Sequence, residues 1–170
     1  ADSGPAAERF AGTARYSLRF DVPGEGAHWL LDLGEVHSSA RVRLNGRDVA
    51  TLIGPSYRAV LHDVQPTGNL LDIEVTNLAA NRIRDLDRRG VEWRIFEDIN
   101  FVTRDYQPFD ASDWPVMPAG LLGPVSLQRL VSDSPRTPER SPGFAQTLRR
   151  GTRVPLRGAA CVSKPGTERV

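Results

Sequence analysis

Apolar and polar residues alternate strictly near the start of the chain. Ala14, Tyr16, Leu18, Phe20 and Val22 fall on one side of an extended backbone, Arg15, Ser17, Arg19 and Asp21 on the other. That period of two predicts a half-buried β-strand, broken by Pro23-Gly24-Glu25-Gly26. Trp29-Leu30-Leu31-Asp32-Leu33 predicts a more buried strand stopped by Gly34. Ala40, Val42 and Leu44 alternate with Arg41 and Arg43, and Asn45-Gly46 follows at once. Asn-Gly between two strand-like runs predicts a hairpin, because a type I′ turn needs positive φ at both central residues. The return strand is expected over residues 48–53. Further strands are expected over 57–61, over 71–75, where Leu71, Ile73 and Val75 alternate with Asp72 and Glu74, and over 124–130. Residues 78–89 allow a helical turn or two, ended by Gly90. Seven or eight short strands with turn signals between them predict an all-β, antiparallel β-sandwich or jelly roll. The expected core holds Tyr16, Leu18, Phe20, Leu31, Leu33, Val42, Leu44, Ile73, Val75, Val125 and Leu127.

One stretch breaks the strand rhythm. Residues 78–120 form a loop that is long for a compact domain, which is expected only if it is packed or functional. It is far from low-complexity. Residues 81–115 include Trp93, Phe96, Phe101, Tyr106, Phe109 and Trp114, with eight acids and six arginines. An ordered flap over a sheet or a neighbour is expected there.

Charge divides the chain. The net charge is +1, but residues 133–170 hold eight basic and three acidic residues, leaving −4 on the first 132. A body of that sign argues against nucleic-acid binding, for which the body would usually be the basic part. The tail has five prolines, four glycines and one aromatic, Phe144. Such a composition buries too little apolar surface to offset its ordering entropy. The expected organisation is therefore a β-sandwich over residues 9–131 and a disordered basic tail over 132–170. The tail's Arg/Pro/Gly bias also fits an out-of-frame or read-through segment of a GC-rich gene, Lys164 being the only lysine of the chain. No apolar run approaches the roughly 18 residues a membrane span needs, so no membrane partner is expected. The N-terminal segment lacks a signal-peptide pattern, and location stays open, a periplasmic or secreted parent protein being one option.

The candidate chemistry is sparse. One cysteine, Cys161, excludes an intramolecular disulfide and a thiolate-rich metal site. His28, His37 and His62 lack zinc-motif spacing and read as exposed structural histidines. No cofactor is expected, and whether a calcium ion sits in the sandwich stays open. No Gly-x-Ser-x-Gly elbow and no phosphate loop occurs. Asp85/Asp87, Glu97/Asp98 and Asp110/Asp113 could each supply the paired carboxylates of glycoside hydrolysis, but the flap's arginines can neutralise most of them. Carbohydrate binding fits better: aromatic faces stack on sugar C–H faces while placed polar groups bond hydroxyls. Trp93, Tyr106 and Trp114, with Asp110 and Arg82, are the candidates. The competing reading is that these aromatics bury the flap.

Several elements, in order along the chain, carry a resemblance. They are Gly12-Thr-Ala-Arg-Tyr16-Ser-Leu-Arg-Phe20, Leu31-Asp-Leu-Gly34, Ser39-Ala-Arg-Val-Arg-Leu-Asn-Gly46, Gly68-Asn-Leu-Leu-Asp-Ile-Glu-Val-Thr-Asn77 and Gly120-Leu-Leu-Gly-Pro-Val-Ser-Leu127. Together they resemble the galactose-binding-like jelly-roll domain of glycoside hydrolases. The sequence is similar to the sugar-binding domain of family 2 enzymes. It is more similar to the C-terminal domain of bacterial α-L-rhamnosidase-like proteins of family 106, through Leu-Ala-Ala-Asn81-Arg82-Ile, Tyr-Gln-Pro-Phe-Asp110 and Trp114-Pro. The resemblance covers residues 9–131 and implies a large enzyme whose catalytic acids lie on a separate barrel. A barrel needs about 250 residues, so no catalytic residue carries over. The resemblance implies a non-catalytic accessory sandwich, a fragment of a longer hydrolase partnered by its catalytic domain. The alternative is an autonomous carbohydrate-binding module.

Overall fold

The computed structural model describes residues 4–24, 28–95, 102, 104–132, 148–155 and 160–163. A short helix, α1 (Pro5–Glu8), precedes the strands β1 (Thr13–Phe20), β2 (His28–Asp32), β3 (Glu35–His37), β4 (Ser39–Leu44), β5 (Arg47–Ile53), β6 (Arg58–Leu61) and β7 (Asn69–Thr76). Helix α2 (Ala80–Arg88) follows, then β8 (Gly120–Gly123), β9 (Ser126–Ser132), β10 (Leu148–Pro155) and β11 (Ala160–Ser163).

The strands form an antiparallel sheet in the order β11-β1-β7-β4-β5, a second in the order β10-β9-β2-β6, and a small β3-β8 pair. Register puts the apolar face of each strand on one side. Tyr16 opposes Ile73, which opposes Val42, while Leu31 opposes Ala59 on one flank and Leu127 on the other. The two inner faces meet in one cluster, with Phe20, Val42, Leu44, Leu71, Ile73 and Val75 from the first sheet and Trp29, Leu31, Leu61 and Leu127 from the second. This is the expected all-β sandwich. Of the expected core, Tyr16 and Val125 pack against the cluster only partly buried, Leu18 is half-buried, and the rest are buried. The outer face of the first sheet is polar, as the alternation requires. Arg15 pairs with Glu74, Arg43 reaches both Glu74 and Asp48, and Arg41 grips Asp48 at 2.8 Å.

The β4–β5 hairpin has the predicted two-residue turn, with φ of 50° at Asn45 and 79° at Gly46. Its Asn45 side chain also reaches across to β7. Asn45 Oδ1 accepts the Leu70 N–H at 2.8 Å and Asn45 Nδ2 donates to Asn69 Oδ1. Asn69 is wholly buried, accepts the Gln65 N–H at 2.9 Å and donates to the Gln65 carbonyl at 2.6 Å. The Leu-Asn-Gly and Gly-Asn-x-Leu elements thus meet in space, and their bonds satisfy the polar groups of buried Asn69.

The reading of residues 132–170 as a disordered tail, with the sandwich ending at 131, is corrected over two segments. β10 lies antiparallel beside β9, and β11 beside β1, each at the edge of a sheet. The reason is that an edge strand is held by its main-chain ladder to an ordered neighbour. It needs no apolar periodicity of its own, so a segment rich in Arg and Gly qualifies. The rest of the tail lies outside the described residues. β3, β8 and α1 were also not expected: each is three or four residues long, too short to show a period.

Candidate functional site: an aromatic flap hung on one carboxylate

Helix α2 forms where the hydrophobic pattern leaves period two, and it ends as Gly90 predicted. Gly90 has φ of 63° and donates to the Asp87 carbonyl, while the Val91 N–H returns to the Leu86 carbonyl. This pair of bonds closes a Schellman motif, for which glycine is suited because the left-handed conformation carries no Cβ penalty. Near the other end of α2, buried Asn81 clamps the returning chain. Its Nδ2 donates to the Met117 carbonyl at 2.7 Å, and its Oδ1 accepts the Met117 N–H at 2.8 Å. Arg84 Nε donates to the Trp114 carbonyl at 2.6 Å.

Asp87, in the last turn of α2, organises the flap between these clamps. Its side chain is 5% exposed. One oxygen accepts the Trp93 indole N–H at 2.6 Å and Arg94 at 3.2 Å, and the other accepts the Ala111 N–H at 2.8 Å. Burial, the largest single influence, pushes the carboxyl pKa up. The Trp93 bond, the Ala111 amide and Arg94 together outweigh it, and the pKa lies below the ordinary value. From Trp93 the rings run edge to face. Trp93 meets Phe109 at 6.1 Å, Phe109 meets Trp114 at 5.6 Å, and the Arg94 guanidinium sits 5.6 and 5.7 Å from the Trp93 and Phe109 centroids. These are the favoured quadrupole and cation–π geometries.

An open cleft of about 450 Å³ lies beside this column, lined by Asp87, Val91, Trp93, Arg94, Phe109 and Asp110 among others. Of the five residues expected to bind carbohydrate, Trp93 and Asp110 line it, and Trp114 joins through Phe109. Tyr106, with φ of 56° and 77% exposed, and Arg82, half-buried on α2, do not line it. The rings stand at 79° and 83° to one another rather than in one plane. Asp110 is exposed and accepts the Ser112 N–H at 2.8 Å. The paired carboxylates are otherwise engaged: Asp85 bonds Arg89, and Asp87 holds its three donors. Glu97 and Asp98, like Phe96 and Phe101, lie outside the described residues. No cluster of three or more metal-ligating side chains occurs among the described residues, and no helix there is long and apolar enough to cross a membrane.

Sequence reasoning missed Asp87 as the hub, Arg94 as the stacked cation and Phe109 as the central ring. The usable signal was their spacing: an acid at the end of a Gly-terminated helix, with Trp-Arg a few residues on.

This chain is similar to segments of two longer proteins whose names are those of glycosidases. The structure of a rhamnosidase from Novosphingobium sp. PP1Y matches with 35% identity and a TM-score of 0.59, over 74% of this chain and 12% of that one. A curated protein of Formosa agariphila, named "Putative beta-glucuronidase", is 33% identical over 146 residues, covering 74% of this chain and 13% of that protein. No family model matches. The chain therefore spans about an eighth of the length of these relatives. The resemblance read from the sequence holds: the chain is similar to a β-sandwich segment of glycoside hydrolases.

Proposed function

We propose that this chain is a non-catalytic accessory domain of a larger glycoside hydrolase of the rhamnosidase-like kind. The observation that carries the reading is the coverage: three-quarters of the chain aligns to about an eighth of two long glycosidases. Two features of the molecule support it. Asp85 is tied to Arg89, and Asp87 to the Trp93 indole, Arg94 and the Ala111 amide, whereas glycoside hydrolysis needs two carboxyls free to exchange protons or attack carbon. One end of the sandwich also carries exposed apolar side chains: Ile53, Leu78, Met117 and Leu122. Pairing of Ser39 with Ile53 and Thr76, and the bond from the Gly120 N–H to Asn77, bring their segments together. Such a patch suits docking against the rest of a longer protein.

The second reading is an autonomous carbohydrate-binding module. It is favoured by the open cleft at Trp93, Arg94 and Asp110 and by the Arg94 Nε, which is buried with no hydrogen-bond partner among the described residues. One sample tests both readings. The chain is assayed against aryl glycosides, including an α-L-rhamnoside and a β-glucuronide, and titrated calorimetrically with rhamnose-containing oligosaccharides. The accessory reading expects no turnover above background and no saturable binding. Turnover abolished by Asp110→Asn overturns it. Saturable binding without turnover, lost in Trp114→Ala, selects the module instead.

A further inference from the structure

His28 and His62 are 34 residues apart in sequence and form a pair in space. β2 and β6 run antiparallel with Trp29 opposite Leu61, so His28 at the start of β2 faces His62 just past β6. Their rings meet edge to face at 4.7 Å, and the two Nδ1 atoms lie 3.0 Å apart. Both side chains are exposed. In the metal-free pair one Nδ1 carries the proton and the other accepts it.

The geometry points to a two-histidine chelate for a divalent late transition metal across β2 and β6. Metal–imidazole bonds are about 2.0–2.1 Å long. Two nitrogens 3.0 Å apart therefore subtend an angle of about 90° at a shared metal, the cis angle of square-planar and octahedral sites. A tetrahedral ion would need them about 3.4 Å apart. The intrinsic order of affinities places Cu(II) above Zn(II) and Ni(II) at such a site. Transfer of the shared proton to the Nε2 of its own ring, which keeps both imidazoles neutral, and a swing of each ring turn both Nδ1 lone pairs to one point. Exposure leaves the remaining positions to water or to donors from elsewhere. His62 also opens on a cleft of about 530 Å³ lined by Asp48, Asp63 and Gln65. His37 is bonded to Glu35 on β3, away from the pair, and Cys161 lies in β11 on the edge of the other sheet.

The tag-free chain is titrated with copper(II), nickel(II) and zinc(II) chlorides above the ordinary imidazole pKa of about 6.5, in a buffer that does not chelate. One saturable site is expected, with copper tightest, and nickel should raise the melting temperature by mass action. His28→Gln and His62→Gln should each weaken binding by about tenfold or more and remove the thermal shift. His37→Gln and Cys161→Ser should bind like the parent chain. Paramagnetic broadening in the unaltered chain checks this without mutation: substoichiometric copper should broaden the His28 and His62 ring signals and spare His37. Absence of saturable binding, binding undiminished in both Gln variants, or broadening confined to His37 overturns the proposal.

Discussion

At Asp87 three donors converge on one carboxylate, and their arrangement sets what substitution does. The Trp93 indole and Arg94 share one oxygen while the Ala111 amide takes the other. An asparagine offers one acceptor and one donor in place of two acceptors, so either the indole or the amide faces an N–H group. Asp87→Asn should therefore cost about 1–3 kcal/mol, the penalty of a buried hydrogen-bond partner lost. The pH dependence follows from the direction of the shift. A carboxyl held below its ordinary value of 3.8 when folded contributes stability that is full above that value. The contribution is lost as pH falls below 3.8 toward the folded pKa. Glu74 acts in the same sense, its Arg15 hydrogen bond holding it below 4.5 against the opposing effect of burial. Acid titration of unfolding free energy should fall less steeply below pH 3.8 in Asp87→Asn than in the parent chain. Identical slopes would show that Asp87 titrates alike in the folded and unfolded chain.

The strands show why part of this fold was legible and part was not. β4 and β7 each bury every second residue, and β1 turns its apolar residues to the same side, burying Ala14 and Phe20; that alternation is visible in the sequence without any partner. Phe20, at the end of β1, illustrates the energetic side. It is buried in the cluster shared by both sheets, so Phe20→Ala should cost about 3–5 kcal/mol in chemical unfolding, the sum of lost transfer energy and residual cavity. A loss under about 1 kcal/mol would mean that the cluster closes over the gap. Helix α2 was legible through Gly90. β10 and β11 were not, because what orders them is the free edge of β9 and β1, a property of the neighbour rather than of residues 148–163. The site was half legible for a related reason. Aromatic content marked the flap and Trp93, Asp110 and Trp114 as its parts, but residue type cannot say whether rings lie flat or edge to face. Long-range placement around Asp87 decides that. His28 and His62 were illegible as a pair because only antiparallel register joins them.

On the scale of the whole molecule, the late strands form one edge of each large sheet. β10 shields the edge of β9 through six paired positions with a bulge between Arg150 and Arg153, and β11 shields β1 through four. Without them, β1 and β9 would each present an unpaired row of N–H and C=O groups, the configuration that templates edge-to-edge association. Ending the chain after Ser132 should therefore do more than remove a solvated tail. Each strand lost is an edge strand, so the central core around Leu31 and Val42 remains and the shortened chain should still fold. Its stability should fall by about 2 kcal/mol, or roughly 5 °C in melting temperature for a domain of this size. Amide exchange should speed up along the outward-facing positions of β1 and β9, and not along β4, whose neighbours β5 and β7 are untouched. The shortened chain should also self-associate more readily at high concentration, which light scattering reads directly. A melting temperature within about a degree of the full chain, with unchanged exchange in β1 and β9, would show that the two late strands add nothing to the sandwich.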